Sequence, residues 1–276
     1  MVRTVGRGLG AAALVGGVVI GSLVGGTVGA IVGVLITMIG FQTLTRGVEG
    51  APYIVAGVSA TVGIVFVAWR HHLTWTDIGL GRASWVTGLL WSLGIVLVVG
   101  AVVGTAGSIP RLHHLFADQR LTQVSGAVTT RRVLLDIPFG TVLIEELAFR
   151  GVMLALVTSL TSALWAVVVT SVLFGLWHIG PALEMHDSHD ARTGASWSTV
   201  VGTVIVTGLS GVGFALLRLY TGSLFPPAAL HWAGNGTGVV VGWFVHGRKP
   251  KDGFAHDAET WDDPEGVQPS RDDDAE

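Results

Sequence analysis

The sequence predicts an all-α, polytopic transmembrane helical bundle of about eight spans. Three observations predict it. Half of the 276 residues are hydrophobic and only 13% are charged, about half the charged share of a soluble domain. The mean hydropathy is +0.63. The apolar residues also gather into segments of about 20 residues, the helix length that crosses a bilayer core.

The spans are expected, in order, at Gly8–Gly25, Thr27–Leu44, Pro52–Trp69, Trp85–Thr105, Val133–Val157, Ala163–Ile179, Trp197–Tyr220 and Leu224–Val245. Arg3 and Arg7 precede the first, as in a signal peptide, but the apolar run continues to about Leu44. That is far beyond an h-region, so the run reads as two short helices. The 40 glycines fit close helix packing in lipid. With the N-terminus inside, the outside loops hold only Arg70 and Arg82, with Arg218 near the outer end of the seventh span. Twelve other basic residues fall inside, which places both termini in the cytoplasm of a cell-membrane protein. The Arg70–Arg82 loop fits the interface, where Trp69, Trp75 and Trp85 sit well.

Composition also excludes chemistry. There is no cysteine, hence no disulfide, thiolate nucleophile or Cys-ligated zinc. No basic patch points to nucleic acid. Ten of the 19 acidic residues follow Val245, and residues 247–276 read as an acidic, disordered tail.

Charge at bilayer depth is costly and usually marks function. The fifth span carries Leu143-Ile144-Glu145-Glu146-Leu147-Ala148-Phe149-Arg150-Gly151. Glu146 and Arg150 are four apart and can pair on one helix face. Glu145 points about 100° away and lacks that partner, which suits it to act as a general base. The sixth span ends with Phe174-Gly175-Leu176-Trp177-His178, and the eighth carries His231-Trp232-Ala233-Gly234-Asn235. A Glu, two His and an Asn on three helices can converge on one pocket. There Glu145 with His178 would activate water, and His231 with Asn235 would stabilise an oxyanion.

The order Glu-Glu-x-x-x-Arg, Phe-x-x-x-His, His-x-x-x-Asn resembles the motifs of the CPBP family. That family includes type II CAAX prenyl endopeptidases and Abi proteins linked to bacteriocin processing or immunity. Thr76-Asp77-Ile78-Gly79-Leu80 is similar to a short element that many members carry before the core. The resemblance covers about Leu73 to Val245. Residues 1–50 are expected to form N-terminal membrane helices, and 51–246 a CPBP-like intramembrane protease core. The resemblance implies the same roles for Glu145, His178, His231 and Asn235, with Glu146 and Arg150 in support. The family does not fix the substrate; a membrane-associated protein or peptide is expected, with a prenylated or CAAX-like one among the candidates. No cofactor is expected. Two His and a Glu can bind zinc in principle, but there is no His-Glu-x-x-His motif.

Other readings stand beside this one. Gly208-Leu209-Ser210-Gly211 resembles the Gly-x-Ser-Gly of rhomboid serine proteases, with His231 as base for Ser210. It is also what close helix packing needs. Intramembrane charge also lines transporter pathways, and a non-catalytic immunity or scaffold protein is a third class. His178, Glu184, His186 and His189 form no tight metal spacing and read as a hydrated loop.

Overall fold

The computed structural model describes residues 2–116, 124–188 and 197–247. Helix α1 (Val2–Leu23) and helix α2 (Gly26–Thr45) form a hairpin that turns through Gly25 and Gly26. Both have positive φ, a conformation only glycine adopts without strain. A Cβ on Gly33 would collide with the backbone of Gly21, and one on Gly40 with that of Leu14. The two helices therefore touch backbone to backbone.

Helix α3 (Ala51–Arg70) packs on the site helix through another glycine, since a Cβ on Gly57 would lie 2.7 Å from the Phe139 carbonyl. Helix α4 (Trp85–Gly107) buries only Gly88 and exposes Leu89, Leu90, Leu93, Leu97 and Val102. An apolar face of that size suits hydrocarbon, not water.

The site helix α5 runs without a break over 126–160. The Ser125 hydroxyl caps its start by accepting from the Val128 N–H at 3.4 Å. Wide π-type turns, Arg132–Val142 and Leu147–Met153, flank the acidic pair in Leu143–Glu146. Pro138 lies in the first of them. In a π register its missing N–H would have reached the carbonyl five residues back, at Val133. The Trp232 indole donates to that carbonyl instead, at 2.8 Å.

Helix α6 (Ala163–Trp177) ends at His178, and helix resumes at once as α7 (Ile179–Ser188). This corrects the expected hydrated loop: Glu184 and His186 lie in a helix, and His189 lies outside the described residues. Helix α8 (Trp197–Thr221) is followed by α9 (Phe225–Gly242), which a wide turn extends through Trp243–Gly247. The expected acidic tail lies outside the described residues beyond Gly247.

The fold is thus an all-helical, polytopic bundle. Among the described residues six helical stretches are long and apolar enough to cross a membrane: α1, α2, α3, α4, α6 continued into α7, and α8. The expected fifth and eighth spans, α5 and α9, fall outside that set, and they carry most of the polar site residues.

Connections alternate between two ends of the bundle. At one end the His71 Nε2 meets the Gly21 carbonyl at 2.6 Å, and the Leu224 N–H donates to Gly79 at 2.8 Å. At the other, Glu49 pairs with Arg132 at 2.7 Å and the Trp243 indole donates to Val124 at 2.8 Å. The 73–81 segment is pinned by a latch at the first end, with residues 74–77 exposed. Ile78 is 2% exposed and lies over Gly151, while Arg218 of α8 donates to the Asp77 carbonyl at 2.8 Å. Gly79 (φ 80°) sits directly on the Arg218 guanidinium, where no side chain fits.

Candidate active site

Four charged or titratable side chains meet between α5 and α9. Glu146 is 1% exposed and Arg150 is 1% exposed. Spaced one turn apart, they pair at 3.0 Å. The same oxygen, Glu146 Oε1, accepts from His231 Nδ1 at 2.9 Å. A carboxylate oxygen can only accept, so Nδ1 carries the proton and a neutral His231 leaves Nε2 as a bare acceptor. That Nε2 lies 3.9 Å from Glu145 Oε2.

Glu145 is 6% exposed and has a different neighbourhood. Its Oε1 accepts from the Trp177 indole at 3.0 Å. Its Oε2 is buried without a hydrogen-bond partner among the described residues. Both adjacent carboxylates keep an unpartnered Oε2, but they differ otherwise: Glu146 Oε1 is shared by Arg150 and His231, whereas Glu145 Oε1 takes the Trp177 indole and its Oε2 faces His231 Nε2.

The cations are held by aromatic faces. The Arg150 guanidinium lies 3.8 Å from the Phe174 ring centre and 4.8 Å from that of Phe214. In a desolvated site such cation–π contacts contribute about 2 kcal/mol. Phe214 also stacks on His231, with centroids 5.4 Å apart and planes at 20°. Phe174 therefore orders both histidines, edge-on to His178 at 4.6 Å and to His231 at 6.0 Å.

His178 and Asn235 stand at the margin. His178 is half-buried, and its Nδ1 bonds the Phe174 carbonyl at 2.8 Å. A carbonyl only accepts, so Nδ1 donates and Nε2 is free in the neutral ring. Asn235 lies one turn beyond His231, is exposed, and bonds to none of the described residues. The structure therefore brings Glu145, Glu146, Arg150 and His231 into direct contact. His178 touches the cluster through Phe174, whereas the Asn235 side chain hydrogen-bonds to none of these residues.

Ser210 does not join them. It is exposed and its hydroxyl donates to Val206 in its own helix at 2.9 Å. Its flanking glycines serve packing: a Cβ on Gly211 would meet the Ser171 Cα at 3.1 Å, and one on Gly175 would meet Gly208. The rhomboid-like pairing of Ser210 with His231 is thereby corrected.

Metal chemistry fits this arrangement poorly. Among the described residues no group of three His, Cys, Asp or Glu side chains is placed to hold an ion. Glu146 Oε1 is already shared between Arg150 and His231. An apolar groove of about 550 Å³ between α4 and α9, lined by Leu90, Trp91, Gly94 and Leu230, holds no ionisable group and lies apart from Glu145.

Sequence reasoning missed Trp177 and Phe214. Trp177 lies inside the second motif but reads as an ordinary apolar residue. Phe214 stands three residues after Gly211, one helical step along the same face, which was the available signal.

Neither a curated protein nor a solved structure matches the chain. Residues 129–237 match the family described as type II CAAX prenyl endopeptidase, Rce1-like. That segment holds all six candidate residues, from Glu145 to Asn235. Over residues 129–237, less than half of its length, the chain is thus similar to the Rce1-like type II CAAX prenyl endopeptidases.

Proposed function

We propose that the protein is an intramembrane endopeptidase that cuts a peptide bond of a membrane-anchored, CAAX-like protein or peptide by direct attack of water. The observation that supports this most strongly is the buried, unpartnered Glu145 Oε2 facing His231 Nε2 at 3.9 Å. Two acceptors at that separation suit one water donating a hydrogen to each, with legs of about 2.8 Å.

Water attacks the scissile carbonyl carbon while its proton passes to Glu145. The carbonyl oxygen becomes an oxyanion, to which the Asn235 amide donates. The carbon–nitrogen bond then breaks, and the Glu145 proton leaves on the amine. One water is consumed, and a carboxylic acid and an amine are released. Arg150 and Glu146 fix the His231 tautomer. This differs from the expected roles: His231 takes the place beside the water, and His178, with Nε2 open at the margin, assists the leaving amine.

The test uses the full chain in lipid nanodiscs with CAAX-type peptides, each made with and without a farnesyl or acyl anchor. Mass spectrometry reads new carboxyl termini. Anchored peptides should be cut, and His231→Gln should abolish cutting. Cleavage that survives His231→Gln would refute this assignment of roles.

A further inference from the structure

We infer that Trp177 is a positioning residue that aims Glu145, an inference that rests on Glu145 being the base. A glutamate's terminal torsion is broad and nearly two-fold, so a buried carboxylate needs an outside contact to say which oxygen does the chemistry. The Trp177 indole supplies it, donating to Oε1 at 3.0 Å and leaving Oε2 to face His231. Among the described residues it is the only hydrogen-bond donor to the Glu145 carboxylate. An indole N–H is a donor only, so it can neither take the water's proton nor exchange roles with Oε2.

Trp177 is itself held from both sides. Its ring packs against Phe149 with centroids 6.4 Å apart, and its carbonyl accepts from Gln42 Nε2 of α2 at 3.4 Å. It thus connects the N-terminal hairpin to the reacting carboxylate. No part of the hairpin lies within the matched segment 129–237.

Trp177→Phe keeps the apolar bulk and removes the donor. Replacing Trp177 with benzothienylalanine, which has sulfur for N–H in a ring of the same outline, is the second variant and protects against a packing artefact. Both are measured as full chain in nanodiscs against the anchored peptide that wild type cuts fastest. The expected result is a kcat lower by about 10- to 100-fold, the worth of one hydrogen bond to a charged group. KM should stay within about two-fold and the melting temperature close to wild type. Wild-type kcat in the benzothienylalanine protein would overturn the role of Trp177 and leave that of Glu145 standing. A loss in Trp177→Phe alone, with a lowered melting temperature, would assign Trp177 to packing and overturn it too. A wild type that cuts no anchored peptide would overturn the Glu145 reading itself, and Trp177 with it.

Discussion

The α1–α2 hairpin and the α5–α9 pair solve the same problem in opposite ways. The hairpin brings two helices together with glycine, backbone on backbone at Gly21 and Gly33. The α5–α9 pair is joined by side chains: Arg150 to Glu146 to His231 inside, and Trp232 to the Val133 carbonyl beside them. The first contact is apolar and tolerates lipid on every side. The second buries charge, so each member requires the others. The segments that carry the chemistry hold charged or polar residues where the other helices are largely apolar.

The largest effect should come from breaking the ionic pair. Arg150→Ala or Glu146→Ala leaves an uncompensated buried charge, expected to cost about 3–5 kcal/mol. Denaturant titration in detergent should show a large loss of folded protein, and cleavage should go with it. A smaller effect sharpens the comparison from the other side. In Gly33→Val the new side chain meets the Gly21 backbone, and overpacking of this kind costs about 1–3 kcal/mol. Cleavage per folded molecule should fall only modestly, by a few-fold, because α2 reaches the site through the long Gln42–Trp177 hydrogen bond.

Next comes the latch at the end of the bundle. Gly79→Ala forces a side chain into φ 80° and onto Arg218, at about 1–2 kcal/mol from the conformation alone. Its thermal midpoint should fall while the α1–α2 contact is untouched. The smallest effect concerns Asp77. Hydrogen bonds from the Thr74 hydroxyl and backbone N–H, with Arg218 nearby, hold its carboxyl below the usual aspartate range. A lowered folded value means stability that is present above about pH 4 and lost as pH falls through the lowered value. Asp77→Asn should flatten that acid limb of the thermal midpoint and lower the neutral value slightly, by about the amount wild type loses in acid.

Much of the fold is legible in the sequence because helix length and apolarity are local properties. The expected spans overlap the observed helices closely, as at Pro52–Trp69 against Ala51–Arg70. The Glu146–Arg150 pairing is also local, being one turn within one helix. What is not legible depends on neighbours across helices. Nothing near His231 in sequence says that Nδ1 would meet Glu146, 85 residues away. Trp177 reads as apolar until its N–H is seen to meet Glu145. The helix after His178 was hidden because its polar composition resembles a loop. The wide turns around Pro138 follow from a missing N–H whose consequence shows only when Trp232 arrives to fill it.

The central claim is that Glu145, and not a serine, carries the hydrolysis. The direct measurement is the cleavage rate of one anchored peptide by wild type, Glu145→Gln and Ser210→Ala in the same nanodiscs. Glu145→Gln keeps the shape and removes the base, so its rate should fall by about 10³-fold or more. Ser210→Ala should remain within about two-fold of wild type. A Glu145→Gln protein that cuts at the wild-type rate, or a Ser210→Ala protein that does not cut, would contradict the account.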